Sequence, residues 1–193
     1  MTLIKSISGI RGTIGGEIGD NLTPLDVVKF ASAYASWLKT DTNKQQVKVV
    51  IGRDARISGE MVNHLVIGSL LGMGVEIVDL GLSTTPTVEV VVPLEKADGG
   101  IILTASHNPK QWNALKLLNN KGEFISGKDG AALLAMVESG NYSYNEVDHL
   151  GSYRKDDSYM QKHVDEIVNL PLVDVDAIKK ANELARRKLI QIP

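Results

Sequence analysis

Three short apolar runs narrow the folds open to this chain more than any other feature. Residues 47–51, 75–80 and 100–104 are rich in Val and Ile or bounded by glycines, and they read as buried strands. Helical patterns separate them. Thr23 can cap a helix with Pro24 in its first turn, and Val27, Val28, Ala31, Tyr34, Ala35 and Leu38 follow at helical spacing to an end near Lys39. A second helix opens at Ser58-Gly59-Glu60, carries Val62, Leu65, Val66 and Leu70, and stops at Gly72 and Gly74. Thr85-Pro86 starts a third over residues 87–96, where helix-start chemistry competes with the strand preference of its valines. Residues 113–118 supply a short fourth strand and residues 127–139 a further helix.

Strands and helices in alternation with short connections predict an α/β domain. The expected form is three layers, α/β/α, on a mixed, mostly parallel sheet whose ligands sit at the carboxyl ends of the strands. That domain is expected over residues 1–140. Residues 141–153, with Asn, Ser, Tyr and Gly and no apolar period, read as a linker. Residues 154–193 carry helical patterns at 156–169 and 174–187 and leave only 189–192 for a strand. They read as the helical start of a second α/β domain, too little for a core of its own.

Composition enters by exclusion. The 21 Lys and Arg are spread among 23 Asp and Glu for a net charge of −2, so the concentrated cationic patch that nucleic acid requires is missing. No apolar stretch approaches the ~18 residues of a membrane span or the ~7–15 of a secretory signal. Zero Cys removes thiol catalysis, zinc–thiolate sites and disulfides, and suits a cytoplasmic setting. Neither nucleic acid nor membrane is an expected partner, and no oligomeric state is assigned.

The informative segment is Thr104-Ala105-Ser106-His107-Asn108-Pro109, directly after a strand. Small residues let the chain turn, Pro109 stiffens it, and Ser106 would stand exposed beside His107 and Asn108. Taken alone, these residues read more readily as a capped turn. Lys116, ten residues on, lies in an otherwise apolar strand, where a lone Lys can also snorkel at a sheet edge. Ser8-Gly9-Ile10-Arg11-Gly12 puts Arg11 in a glycine-rich loop suited to an anion. Arg53 and Arg56 flank Asp54, a pattern better read as a structural ion-pair network than as ligand contact. Gly122-Glu-Phe-Ile-Ser-Gly127-Lys128-Asp129 has the spacing of a phosphate-cradling P-loop except that Asp129 replaces the magnesium-ligating Ser or Thr, leaving a nucleotide binder as a remote alternative.

In that order, Ser8-Gly-Ile-Arg-Gly, Gly52-Arg-Asp-x-Arg-x-Ser, Thr104-Ala-Ser-His-Asn-Pro and Asn113-x-x-Lys116 resemble domain I of the α-D-phosphohexomutases over about residues 3–140. The resemblance implies an isomerase that moves phosphate between the 1- and 6-positions of a hexose phosphate through a hexose 1,6-bisphosphate intermediate. Ser106 would be the phosphorylated serine, its phosphate also a ligand to Mg2+. Lys116 would be the general acid/base, and Ser8, Arg11, His107 and Asn108 would shape the phosphoserine pocket, with Arg53, Asp54 and Arg56 structural beside it. The family's Asn-Gly before the Lys is here Asn113-Ala114, which puts the local geometry in question. The family's magnesium carboxylates, sugar loop and distal phosphate loop are not found in these residues. The chain is therefore expected to be the N-terminal part of a mutase, inactive alone, with phosphoglucosamine mutase the favoured subtype. A noncatalytic phosphosugar-binding domain is the competing class.

Overall fold

The computed structural model describes residues 1–6 and 9–189, with side chains to residue 183. Ser8 and residues 190–192 of the last candidate strand lie outside the described residues. The strands are β1 (Ile4–Ser6), β2 (Gly9–Thr13), β3 (Lys48–Arg53), β4 (Glu76–Leu82), β5 (Gly99–Leu103), β6 (Trp112–Leu118) and β7 (Tyr153–Lys155). The helices are α1 (Pro24–Thr42), α2 (Gly59–Gly72), α3 (Thr85–Leu94), α4 (Gly127–Ser139), α5 (Tyr159–Val168) and α6 (Val175–Leu189). None of the described helices is long and apolar enough to cross a membrane.

Local chemistry explains where the helices begin. Thr23 and Asp26 cap α1 reciprocally with Pro24 in the first turn, and Ser126 and Asp129 form the same box at α4. At α3 the Thr84 side chain accepts from the Thr87 N–H, and this cap outweighs the strand preference of the valines that follow.

All seven strands join one sheet in the order β1-β2-β6-β5-β3-β4-β7. β5, β3, β4 and β7 pair in parallel, whereas β6 lies antiparallel to both β5 and β2, and β1 antiparallel to β2. The mixed α/β/α architecture expected from the alternation is therefore present. Alternate strand residues serve two cores. Val49, Ile51, Ile77, Ile101 and Leu103 pack with α1, α2 and α4 on one face, and Val50, Val78, Leu80 and Ile102 pack with α3 on the other.

Two expectations need correction. β2 is a strand where the residues around Arg11 read as a glycine-rich loop, and β1 pairs with it. Residues 141–153 are not a free linker, because the first compact unit runs from Met1 to Tyr159. Tyr144 Oη shares a hydrogen bond of 2.9 Å with Ser32 Oγ, and Gly151 lies so close to Val75 that a Cβ there would sit 2.0 Å from its carbonyl oxygen. β7 then pairs with β4, and Tyr153 donates to the buried Asp79 carboxylate at 3.0 Å. The second unit, Met160–Pro193, contains most of α5 and all of α6, and its described apolar side chains Val164, Ile167, Leu170 and Ile178 are exposed.

Tyr34 is the largest fully buried side chain, and its hydroxyl donates to the Leu118 carbonyl at 2.6 Å and the Gly100 carbonyl at 3.1 Å. Burial drives its ionisation far above the ordinary tyrosine range. Tyr34→Phe is expected to cost about 1–2 kcal/mol at neutral pH, since two interior carbonyls lose a donor. The alkaline sign also follows. The unfolded phenol ionises above pH ~10 while the folded one keeps its proton, so this stability is complete below pH ~10 and falls as pH rises, by at most ~1.4 kcal/mol per unit. Urea unfolding of both proteins between pH 8 and 11 checks this. A gap between them that does not shrink above pH 10 contradicts the assignment.

Candidate active site

β5 ends at Leu103, and the chain turns through residues 104–111 before returning as β6. The turn is tight enough to place Ser106 at φ +54°, left-handed backbone that a side chain bearing Cβ adopts at a cost of roughly 1–2 kcal/mol. The surrounding bonds impose it. Ser106 N–H donates to Thr104 Oγ1 at 3.0 Å and Asn108 N–H to the Ala105 carbonyl at 3.0 Å.

Arg56 holds the same turn from outside. Its Nη1 donates to the Pro109 and Trp112 carbonyls at 2.9 Å, and its Nη2 to the Ser106 and Asn108 carbonyls at 2.8 Å. Asp54 aims this fork by accepting from Arg56 Nε at 3.2 Å and from the Arg56 N–H at 3.0 Å. Asp54 N–H in turn donates to the Leu103 carbonyl at 3.1 Å, tying the pair to the end of β5. Arg53 stands apart from the turn, its Nη1 donating to the Asp54 carbonyl at 3.3 Å.

On the other side β2 brings Arg11 across from Ala114 of β6. This pairing depends on Gly9, whose φ is +117° and where a Cβ would lie 2.1 Å from the Leu115 carbonyl oxygen. Sequence reasoning took Gly9 as part of an anion loop and missed that it lets one strand lie against another. The Asn113-Ala114 departure leaves the strand regular. Ala114 lies outside the positive-φ region and is paired with Arg11, and Asn113 is buried, with Nδ2 donating to Ser58 Oγ at 3.0 Å.

A cavity of about 200 Å3 opens between these elements, lined by Gly9, Arg11, Thr104, Ala105, Ser106, His107, Asn108, Ala114 and Lys116. Five candidate residues therefore meet in one place: Arg11, Ser106, His107, Asn108 and Lys116. The lining contains Arg11, Lys116 and His107 and no carboxylate, which suits an oxyanion. Among the described residues neither Arg11 nor Lys116 forms an ion pair, and the Ser106 hydroxyl makes no hydrogen bond. No three His, Asp or Glu side chains stand together among the described residues. This donor set does not fit magnesium, which asks for near-octahedral oxygen ligands.

The P-loop-like segment is something else. Residues 119–123 form a turn, with Asn119 N–H donating to the Glu123 carbonyl at 2.8 Å. Ser126 caps α4, and the Asp129 carboxylate accepts from Ser126 N–H at 3.0 Å and Ser126 Oγ at 2.7 Å. The capping box thus already takes the Ser126 and Asp129 amides and sets a carboxylate at the helix N-terminus, where a nucleotide phosphate would have to lie.

The fold and this strand-end pocket define an α/β/α domain with an exposed serine in a cavity lined by an arginine and a lysine. The family model for phosphoglucomutase/phosphomannomutase, alpha/beta/alpha domain I, matches residues 3–143, and the chain belongs to that family. It is 34% identical over 172 residues to a phosphoglucomutase/phosphomannomutase of Thermococcus kodakarensis, covering 89% of this chain and 36% of the relative. It is 31% identical over 175 residues to a phosphoglucosamine/phosphogalactosamine mutase of Sulfurisphaera tokodaii, covering 90% and 36%. A solved structure of a phosphoglucomutase/phosphomannomutase family protein from Burkholderia thailandensis superposes with a TM-score of 0.69 at 26% identity, covering 86% of this chain and 36% of that one. The chain thus spans little more than a third of the length of each.

Proposed function

We propose that residues 1–159 form the phosphoserine domain of a hexose-phosphate mutase and that Ser106 carries the phosphoryl group. The observation that carries this reading is the convergence of an exposed, left-handed Ser106 with Arg11 and Lys116 in a pocket free of carboxylates. A phosphoryl group on Ser106 Oγ would lie where Arg11 can neutralise its oxygens, with His107 and Asn108 at its flank. The hydroxyl of a hexose phosphate attacks phosphorus, the bond from phosphorus to Ser106 Oγ breaks, the Lys116 amine takes the hydroxyl proton, and the departing Ser106 oxygen takes up a proton from water. In the reverse step the Ser106 hydroxyl attacks the other phosphoryl group of the hexose 1,6-bisphosphate and gives its proton to water, and the Lys116 ammonium returns its proton to the sugar oxygen as that bond breaks. The chain supplies the cations and the serine. Among the described residues this pocket has no magnesium carboxylate set and no second clamp for the sugar's far phosphate, so the 193-residue chain alone is expected to show no turnover. Among hexose phosphates, glucosamine phosphate is the first to test, the subtype favoured by Thr104-Ala-Ser106 and Trp112-Asn-Ala-Leu-Lys116.

Peptide mapping by mass spectrometry of an active mutase carrying this domain, after exposure to a hexose 1,6-bisphosphate with magnesium, tests the reading. The expected phosphate lies on Ser106. Phosphate on Ser58, Ser83 or Ser126 with Ser106 bare would sink it.

A further inference from the structure

The Gly122–Asp129 segment, left without a ligand by its helix cap, has another task in the geometry. Its aromatic residue, Phe124, stands with its ring centroid 5.7 Å from Lys116 Nζ. We propose that Phe124 is the positioning residue for the Lys116 ammonium, holding it at the pocket rim through the face of the ring. The proposal rests on the mutase reading for its consequence and on the contact alone for its geometry.

The backbone makes this contact deliberate in form. Leu118 and Phe124 face each other across an isolated antiparallel bridge, and Ile125 N–H donates to the Leu117 carbonyl at 3.1 Å. Lys116 and Leu118 lie on the same face of β6, so the residue opposite Leu118 reaches diagonally over Lys116. The turn that delivers Phe124 is itself anchored. Gly122 has φ +78°, and a Cβ there would lie 2.0 Å from the Glu89 carbonyl oxygen on α3. Ile125 is buried at 2% exposure, so the ring is fixed from both sides of its own backbone while its outer face stays open to solvent.

A lysine with four rotatable bonds samples many positions unless something other than a carboxylate restrains it. An acidic partner would neutralise the charge that the pocket offers to an anion. An aromatic face attracts the ammonium without cancelling it, and at a part-exposed site the attraction changes an equilibrium by about two- to five-fold. Phe124 thereby keeps the amine at the pocket that Ser106 also lines without neutralising its charge.

The test uses the 193-residue chain and the variants Phe124→Leu, Phe124→Tyr, Lys116→Met and the Lys116→Met/Phe124→Leu double. In proton NMR the ε-methylene signals of Lys116 are expected upfield of the other lysines, from the ring current, in the parent and in Phe124→Tyr. They are expected at the ordinary position in Phe124→Leu. Titration with inorganic phosphate should show about two- to five-fold weaker binding in Phe124→Leu, restoration in Phe124→Tyr, and no further effect of Phe124→Leu once Lys116 is Met. Unshifted signals in the parent overturn the contact. Shifted signals with equal phosphate affinity in Phe124→Leu and the parent overturn the positioning role, and so does a loss that persists in the Lys116→Met background. If Phe124→Leu unfolds, the comparison of Phe124→Tyr with the parent still decides the ring-current arm. Phosphate mapped to a serine other than Ser106 ends the mutase reading but leaves these signals unchanged, so the two failures are distinct.

Discussion

Arg56→Ala is expected to destabilise the domain by about 2–4 kcal/mol and to release the turn that carries Ser106. Each hydrogen bond from a charged donor is worth roughly 1.5–3 kcal/mol, and the guanidinium makes four to carbonyls. The simple sum overshoots, because the carbonyls of Ser106 and Pro109 belong to exposed residues and water replaces the lost donor there. The Arg56 side chain itself is only 11% exposed, and removing it leaves Asp54 facing a vacated site. Arg56→Lys should recover little, because one ammonium cannot span four acceptors in the plane of a fork. Urea unfolding gives the stability change, and amide exchange over residues 104–112 gives the local one. A loss below ~0.5 kcal/mol with unaltered exchange would show that the turn holds itself and that the fork is ornament.

The same residue marks how far the sequence carries. Arg56 and Asp54 are two positions apart, and that spacing makes a structural ion pair readable from the chain. The acceptors of the fork lie about fifty residues downstream, and nothing in either segment announces the other. Tertiary hydrogen bonds to carbonyls leave no residue signature, since every residue has a carbonyl. The interior strands were legible for the opposite reason. β3, β4 and β5 are buried on both faces and therefore nearly uniform in character. β1 and β7 are three exposed residues each, and β2 holds two glycines in five, so neither alternation nor propensity could show them. Yet β2 is what carries Arg11 to Ser106. Motif resemblance placed Arg11 near the serine, while the reason it reaches there, a strand lying against Leu115 over Gly9, belongs to packing alone.

Lys116→Met, in a mutase carrying this domain, is expected to lower turnover by about 10²–10⁴-fold, the range for loss of a general acid or base. At ~1.36 kcal/mol per decade this is about 2.7–5.4 kcal/mol of barrier. Met keeps the apolar stem in β6 between Leu115 and Leu117 and removes only the amine, so the fold should persist. Stability should move little, because the described ammonium has no ion pair to lose and its ring contact with Phe124 is worth at most ~1 kcal/mol. Two readouts separate chemistry from charge. If Lys116 transfers a proton, kcat falls far more than the affinity for hexose phosphate, and the acid limb or base limb of the pH–rate profile assigned to this amine disappears. If Lys116 merely attracts the phosphate, KM rises by the cost of one lost cation and kcat holds. Arg11→Met supplies the contrast, since Arg11 sits in the same pocket and cannot give up a proton near neutral pH. Its loss should weaken anion binding while leaving the shape of the pH profile intact. Equal kinetic signatures for the two substitutions would assign Lys116 the role of a second anion-binding cation and return the proton transfer to another group.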